Sequence, residues 1–173
     1  LIFSAGAERP EAGNAHAVDY KHTWMYSFNN PEAGWVEKPD IPFLANHMSF
    51  VTAHDQTGKQ RHYFLAGQVG ENEHTGNIKD NYEWDAMNET WIKRNDMPVT
   101  RGHAASSTRA IGCGFIIAGG STNEFGKTND VSYYDIPTDS WTTIGEIPIP
   151  INTPVCDIAG GYFYCESGWV TGS

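Results

Sequence analysis

Seven histidines, 21 acidic residues and three cysteines are the side chains of this 173-residue chain best suited to chemistry. A catalytic zinc takes three protein ligands, commonly His and carboxylate at short spacings such as HExxH. The sequence holds no HxH, no HExxH and no compact His-carboxylate cluster. His16 and His22 share one polar stretch, 7–22, with Arg9. His74 shares a second, "QVGENEHTGNIKD" at 68–80, with Glu71. That stretch is acidic but lacks the dense alternating Asp/Asn ligands of a calcium loop. His47 and His103 stand where strands are expected to begin, and they read as hydrogen-bonded structural histidines. No nucleophile–base pair or carboxylate dyad marks a catalytic centre. Neither a metal site nor a cofactor is therefore expected.

The cysteines carry a sharper signal. Cys113, Cys156 and Cys165 form no CxxC and have no zinc-ligand spacing with a histidine. In "PVCDIAGGYFYC", Gly160-Gly161 suits a two-residue hairpin turn. Residue 159 then faces 162, and Cys156 faces Cys165 across the strands. At a non-hydrogen-bonded pair the Cα atoms approach to about 4.5 Å, within disulfide range. The other reading is two free thiols in a core. A disulfide implies an oxidising setting: extracellular, cell-surface or lumenal. Reduced thiols would accord with the cytoplasm. The Asn88-Glu89-Thr90 sequon is a candidate glycosylation site and agrees with the first setting. Cys113, in "IGCGF", falls at the corresponding turn of the preceding unit, where it is free or pairs outside the chain.

The elements that must position these residues follow from composition and repetition. Aromatics are 13%, glycines number 18, and apolar runs are short, which favours an all-β fold. The formal charge is −10, and the 11 Lys and Arg are scattered. That excludes phosphate-backbone binding, which needs clustered cations, and so no nucleic-acid partner is expected. No apolar run approaches the roughly 18–20 residues of a membrane span, so no membrane insertion is expected. "LIFSAGAERP" lacks the charged start and long apolar core of a signal peptide and reads as a strand already in progress. The chain is expected to be a piece of something longer.

A phrase recurs: an aromatic, a turn-like stretch, then Trp seven residues on. It occurs as "FNNPEAGW" ending at Trp35, "WDAMNETW" at Trp91 and "YYDIPTDSW" at Trp141, with the tryptophans 56 and 50 residues apart. Apolar runs ending in small residues keep step at Gly6, Gly67, Gly120 and Gly168. "KPDIP", "NDMP" and "GEIPIP" follow the three tryptophans in turn. One unit reads as four strands: "HAASS" as a buried inner strand, then "FIIAGG", "VSYYD" and "WTTIG". Such a sheet cannot bury both faces alone, whereas radial repetition buries each against a neighbour.

The paired Gly119-Gly120, Tyr133-Tyr134-Asp135, Trp141 and Met97-Pro98 before Arg101-Gly102-His103 resemble the kelch repeat of β-propellers. The resemblance covers nearly the whole chain and implies a kelch-type propeller of four-stranded antiparallel blades. Residues 1–46 would be a partial blade (strands b–d) and linker, 47–98 and 99–150 full blades, and 151–173 a partial blade (strands a–b). Trp35, Trp91, Trp141 and Tyr134 are then packing residues, and Gly67, Gly119 and Gly120 permit sharp exits from the second strand. In kelch relatives the loops between second and third strands line one face, with the segments between blades. That face gives Arg9, His16, His22, Glu71, His74, Asn123 and Arg101 as candidate binding residues. It also implies a binding or assembly module with a protein or glycan partner, part of a larger chain or assembly. Some kelch-type propellers are galactose oxidase-like copper radical oxidases with a Tyr-His pair. Here His62-Tyr63 is reversed, so such a site would lie outside this segment. An intracellular kelch adaptor is the third alternative.

Overall fold

The computed structural model describes residues 2–8, 18–70, 75–123 and 126–170. They form thirteen strands in four antiparallel sheets. The first sheet holds β1 (Ile2–Glu8), β2 (Val18–Tyr26) and β3 (Trp35–Lys38). The second holds β4 (Ser49–His54), β5 (Gln60–Leu65), β6 (Asn81–Asp85) and β7 (Thr90–Lys93). The third holds β8 (Arg109–Ile111), β9 (Gly114–Ala118), β10 (Asp130–Asp135) and β11 (Ser140–Glu146). The fourth is the hairpin of β12 (Val155–Ala159) and β13 (Tyr162–Glu166). Strand order within each sheet follows the chain, so every sheet is a meander. No helix among the described residues is long and apolar enough to cross a membrane.

The turn between third and fourth strands shows how composition sets register. Asp85 Oδ1 accepts the Met87 and Asn88 amides at 3.0 and 3.4 Å, and Asp135 Oδ2 accepts the Thr138 amide at 3.2 Å. A short acidic side chain thus folds the chain back on itself. Glu89 and Asp139 close the two turns at φ +51° and +48°. Trp84 and Tyr134 then lie directly opposite Trp91 and Trp141, each pair with ring centroids 5.0 Å apart. The first sheet departs from this frame. Tyr26, not Phe28, faces Trp35. The longer turn is taken up by a 3-10 helix at Pro31–Ala33, and Phe28 is 74% exposed within it.

Two further expectations are corrected. "HAASS" is not the inner strand of its sheet. Ala105–Ser107 form a 3-10 helix, and the inner strand is the three-residue β8. The cause is local hydrogen bonding. The Ser107 amide and the Thr108 hydroxyl both donate to Ala104 O, at 3.1 and 2.9 Å, which diverts the segment from a ladder. Gly6 does not end its run either. It pairs with Tyr20 within β1, which continues through a bulge to Glu8.

The sheets pack face to face. Val51, Ala53, Tyr63 and Leu65 of the second meet Phe115, Ile117 and Tyr134 of the third in one buried cluster. Ala118 and Val131 continue the core onto Cys156 of the fourth sheet. Backbone hydrogen bonds fasten two seams: the Gly67 amide donates to Arg101 O and the Gly120 amide to Ile151 O, both at 2.9 Å. Ala66-Gly67, Gly119-Gly120 and Ser167-Gly168 share one conformation: φ is +58°, +61° and +62° at the first position and +112°, +103° and +106° at the second. A Cβ on the second residue would lie 2.8, 2.7 or 2.5 Å from the carbonyl oxygen of Asn46, Gly102 or Asn152. Glycine is required there because another backbone passes too close for a side chain. The next residue in each case, Gln68, Ser121 or Trp169, pairs with that same carbonyl-bearing residue.

The outer tryptophans add a second fastening. Trp91 Nε1 donates to Pro39 O at 2.8 Å and Trp141 Nε1 to Asn95 O at 2.9 Å. Each indole thus reaches back to the linker that follows the preceding tryptophan. This explains why "KPDIP" and "NDMP" keep step with the tryptophans.

Candidate functional site

One end of the sheets gathers the connections between second and third strands and the linkers between sheets. Side chains lace these connections together. The Asp19 carboxylate at the start of β2 accepts Asn46 Nδ2 and the Gly70 amide, both at 2.6 Å. Asn123 Oδ1 accepts the Asn77 amide at 2.9 Å, and its Nδ2 donates to Asn77 O at 3.3 Å. Asn123 is therefore engaged in joining two neighbouring loops. His47 and His103, both at positive φ, stack with ring centroids 4.1 Å apart. His103 Nδ1 lies 3.4 Å from Ser121 Oγ, which donates to Asn152 Oδ1 at 2.8 Å. These are consecutive copies of one repeat position, brought into contact by the stacking of the sheets.

Of the candidate binding residues, Arg9, His16, Glu71 and His74 lie outside the described residues. Arg101 is reassigned, because it is fully buried and cannot meet a partner at the surface. Its Nη1 donates to Gly119 O at 3.0 Å and Asp130 O at 3.3 Å. Its Nη2 reaches Ser132 Oγ at 3.1 Å and the Asp130 carboxylate. Burial pulls its pKa below the usual arginine value, against the opposing pull of Asp130. A fork of donors is what so many convergent acceptors require.

A second buried charge sits in the seam between second and third sheets. Glu83 is 1% exposed and accepts Arg61 Nη1 at 2.9 Å, Arg94 Nη2 at 2.7 Å and the Tyr63 hydroxyl at 3.3 Å. Arg61 also binds Asp55 Oδ2 at 2.9 Å. Burial and the adjacent Glu83 charge raise the Tyr63 pKa. Burial, with the Asp139 hydrogen bond, does the same for Tyr134. Both phenols stay protonated as donors, so this network serves cohesion. Sequence reading missed it, because nothing in "HYF" or "NYEWD" says which face of a strand a glutamate takes.

His22 lies on β2 rather than in a loop. Antiparallel pairing of β2 with β3 sets Glu37 opposite Trp24 and hence diagonal to His22, and Asp40 follows β3. His22 Nδ1 is 3.3 Å from Glu37 Oε1 and 3.3 Å from Asp40 Oδ1, and the three ligand atoms lie within 4.8 Å of one another. This is a His-carboxylate cluster that no short spacing reveals. The fold assembles it from residues 15 and 18 positions away in the chain.

Cys156 and Cys165 are directly paired and disulfide-bonded, with Cα atoms 4.1 Å apart. The Gly160-Gly161 turn has both residues at positive φ, +57° and +82°, as a two-residue hairpin needs. Cys113 is free, at the turn between β8 and β9. Asn88 is exposed at the turn between β6 and β7.

Meandering sheets, two of them four-stranded, stacked face to face and joined where the Gly67 and Gly120 amides donate to the carbonyls of Arg101 and Ile151 ahead of the next sheet, define a segment of β-propeller. Comparison with known proteins agrees. No protein-family model matches the chain. The chain is 25% identical over 170 residues to a kelch repeat-containing protein of Arabidopsis thaliana, with 90% of this chain and 40% of that protein covered. The solved structure of YjhT superposes with a TM-score of 0.67 at 11% identity, covering 94% of this chain and 57% of that one. The chain thus spans less than two thirds of either. The chain has the fold of a β-propeller segment and is similar to a kelch repeat-containing protein.

Proposed function

We propose that the chain is a binding and assembly module that meets a protein partner through the laced end of its sheets. Kelch domains generally mediate protein interactions. The observation that carries the proposal is the lacing itself. Asp19 ties the first sheet to Gly70 and Asn46, and Asn77 ties the second to Asn123. Loops held this way lose little entropy on association, which is how a scaffold offers a ready-made surface. A photo-crosslinking residue at Thr75, exposed on this end, is expected to capture one partner from the native source of the protein. The same residue at Thr142, exposed on the outer strand β11, is expected to capture none. Capture from Thr142 alone would move the interface to the outer strands.

We further propose an extracellular or lumenal setting. The Cys156–Cys165 pairing and the exposed Asn88 sequon support it. Protein isolated from its native source should then carry an oxidised Cys156–Cys165 peptide and a glycosidase-sensitive Asn88 peptide. Reduced thiols with an unmodified Asn88 would favour an intracellular adaptor.

A further inference from the structure

We propose that His22, Glu37 and Asp40 form a binding site for a divalent first-row transition ion such as Zn2+, independently of any partner surface. The distances favour this over a plain ion pair. His22 Nδ1 stands 3.3 Å from both Glu37 Oε1 and Asp40 Oδ1. A charge-assisted N–H···O bond closes to about 2.7–2.9 Å. The edge of a tetrahedron with metal–ligand distances near 2.0–2.1 Å is about 3.3–3.4 Å. Two edges of such a tetrahedron are therefore already in place. The third, between the carboxylates, lies within 4.8 Å and closes once an ion offsets their repulsion. One imidazole with two carboxylates suits Zn2+, whereas Ca2+ and Mg2+ take oxygen ligands.

The frame around the site is set before any ion arrives. His22 and Glu37 stand on hydrogen-bonded strands in fixed register. Asp40 is held on both sides. Pro39 O accepts the Trp91 indole at 2.8 Å, and the Ile41 amide donates to Lys21 O at 2.9 Å while its side chain is fully buried. Lys21 Nζ approaches Asp40 Oδ2 at 3.7 Å, leaving Oδ1 for the ion. All three ligands keep a solvent side, so a water takes the fourth position. The formal charge of −10 adds a field that favours cations. The bound ion would fasten the 39–41 linker to the first sheet.

The test is calorimetric titration of chelator-stripped protein with ZnCl2, paired with Co2+ absorption. One saturable site with the visible spectrum of tetrahedral Co2+ is expected. His22→Gln and Glu37→Gln should each weaken binding at least tenfold, and Zn2+ should raise the thermal midpoint of the unaltered chain only. Because the altered side chains are half exposed, the variants should unfold in the absence of metal at the unaltered midpoint. His54→Gln, at an exposed histidine elsewhere, should bind as the unaltered chain does. No saturable uptake, or uptake unchanged in both site variants, would overturn the proposal.

Discussion

At the scale of single residues, the buried charges decide most. Arg101 satisfies two backbone carbonyls, a hydroxyl and a carboxylate where no water reaches. Truncating it strands Asp130 and two carbonyls. Arg101→Ala is expected to cost about 3–5 kcal/mol in urea unfolding, and Arg101→Lys to recover only part, since an ammonium cannot reproduce the fork. A loss under 1 kcal/mol would refute this role. Asp55 gives a pH signature. The Thr57 hydroxyl, 2.6 Å away, leads the contacts that hold its carboxyl well below the usual aspartate value, with Arg61 and the Thr57 and Lys59 amides adding to it. Its folded pKa lies under the unfolded value near 3.9. The stabilisation is therefore present above that value and is lost as pH falls toward the folded one. The gap in stability between the unaltered chain and Asp55→Asn should be widest at neutral pH and shrink below about pH 4. A gap that widens on acidification would contradict the assignment. Arg101 also shows what sequence reading leaves unresolved. Its place in a repeat motif is legible, but its burial depends on the second and third strands of the third sheet, 18 to 31 residues further along the chain.

At the scale of elements, local rules were legible and long-range ones were not. The pairing of Cys156 with Cys165 followed from one dipeptide, because a two-residue turn fixes every pair beyond it. "HAASS" misled because alternation of small residues is a weak signal, and Ser107 and Thr108 bond their own backbone instead. The His22 cluster was invisible because its members are neighbours only across a strand pair. The glycines separate two kinds of demand. Gly120 needs both its φ of +103° and the space beside Gly102 O, whereas Gly160 needs only its φ of +57° and meets nothing within 4 Å. Gly120→Ala is expected to cost about 2–3 kcal/mol and Gly160→Ala about 1 kcal/mol in denaturant titrations. Equal costs would remove the close-approach argument at Gly120.

At the scale of the whole molecule, one meander is repeated and each copy is fastened to the last in two ways. The Gly67 and Gly120 amides donate to Arg101 O and Ile151 O of the following unit at the end that carries the laced loops, and outer indoles reach back to the preceding linker. The tryptophans and glycines were legible as a repeat because selection for one geometry leaves the same residue types in phase. Their partners, Pro39 and Asn95, were not, because a backbone carbonyl leaves no mark on side-chain identity. The most direct test of this architecture is nuclear Overhauser spectroscopy of the indole N–H protons. Stacked blades predict cross-peaks from Trp91 Hε1 to residues 39–40 and from Trp141 Hε1 to residues 95–96, with both protons protected from solvent exchange. Indoles that exchange freely and contact only their own sheets would contradict it.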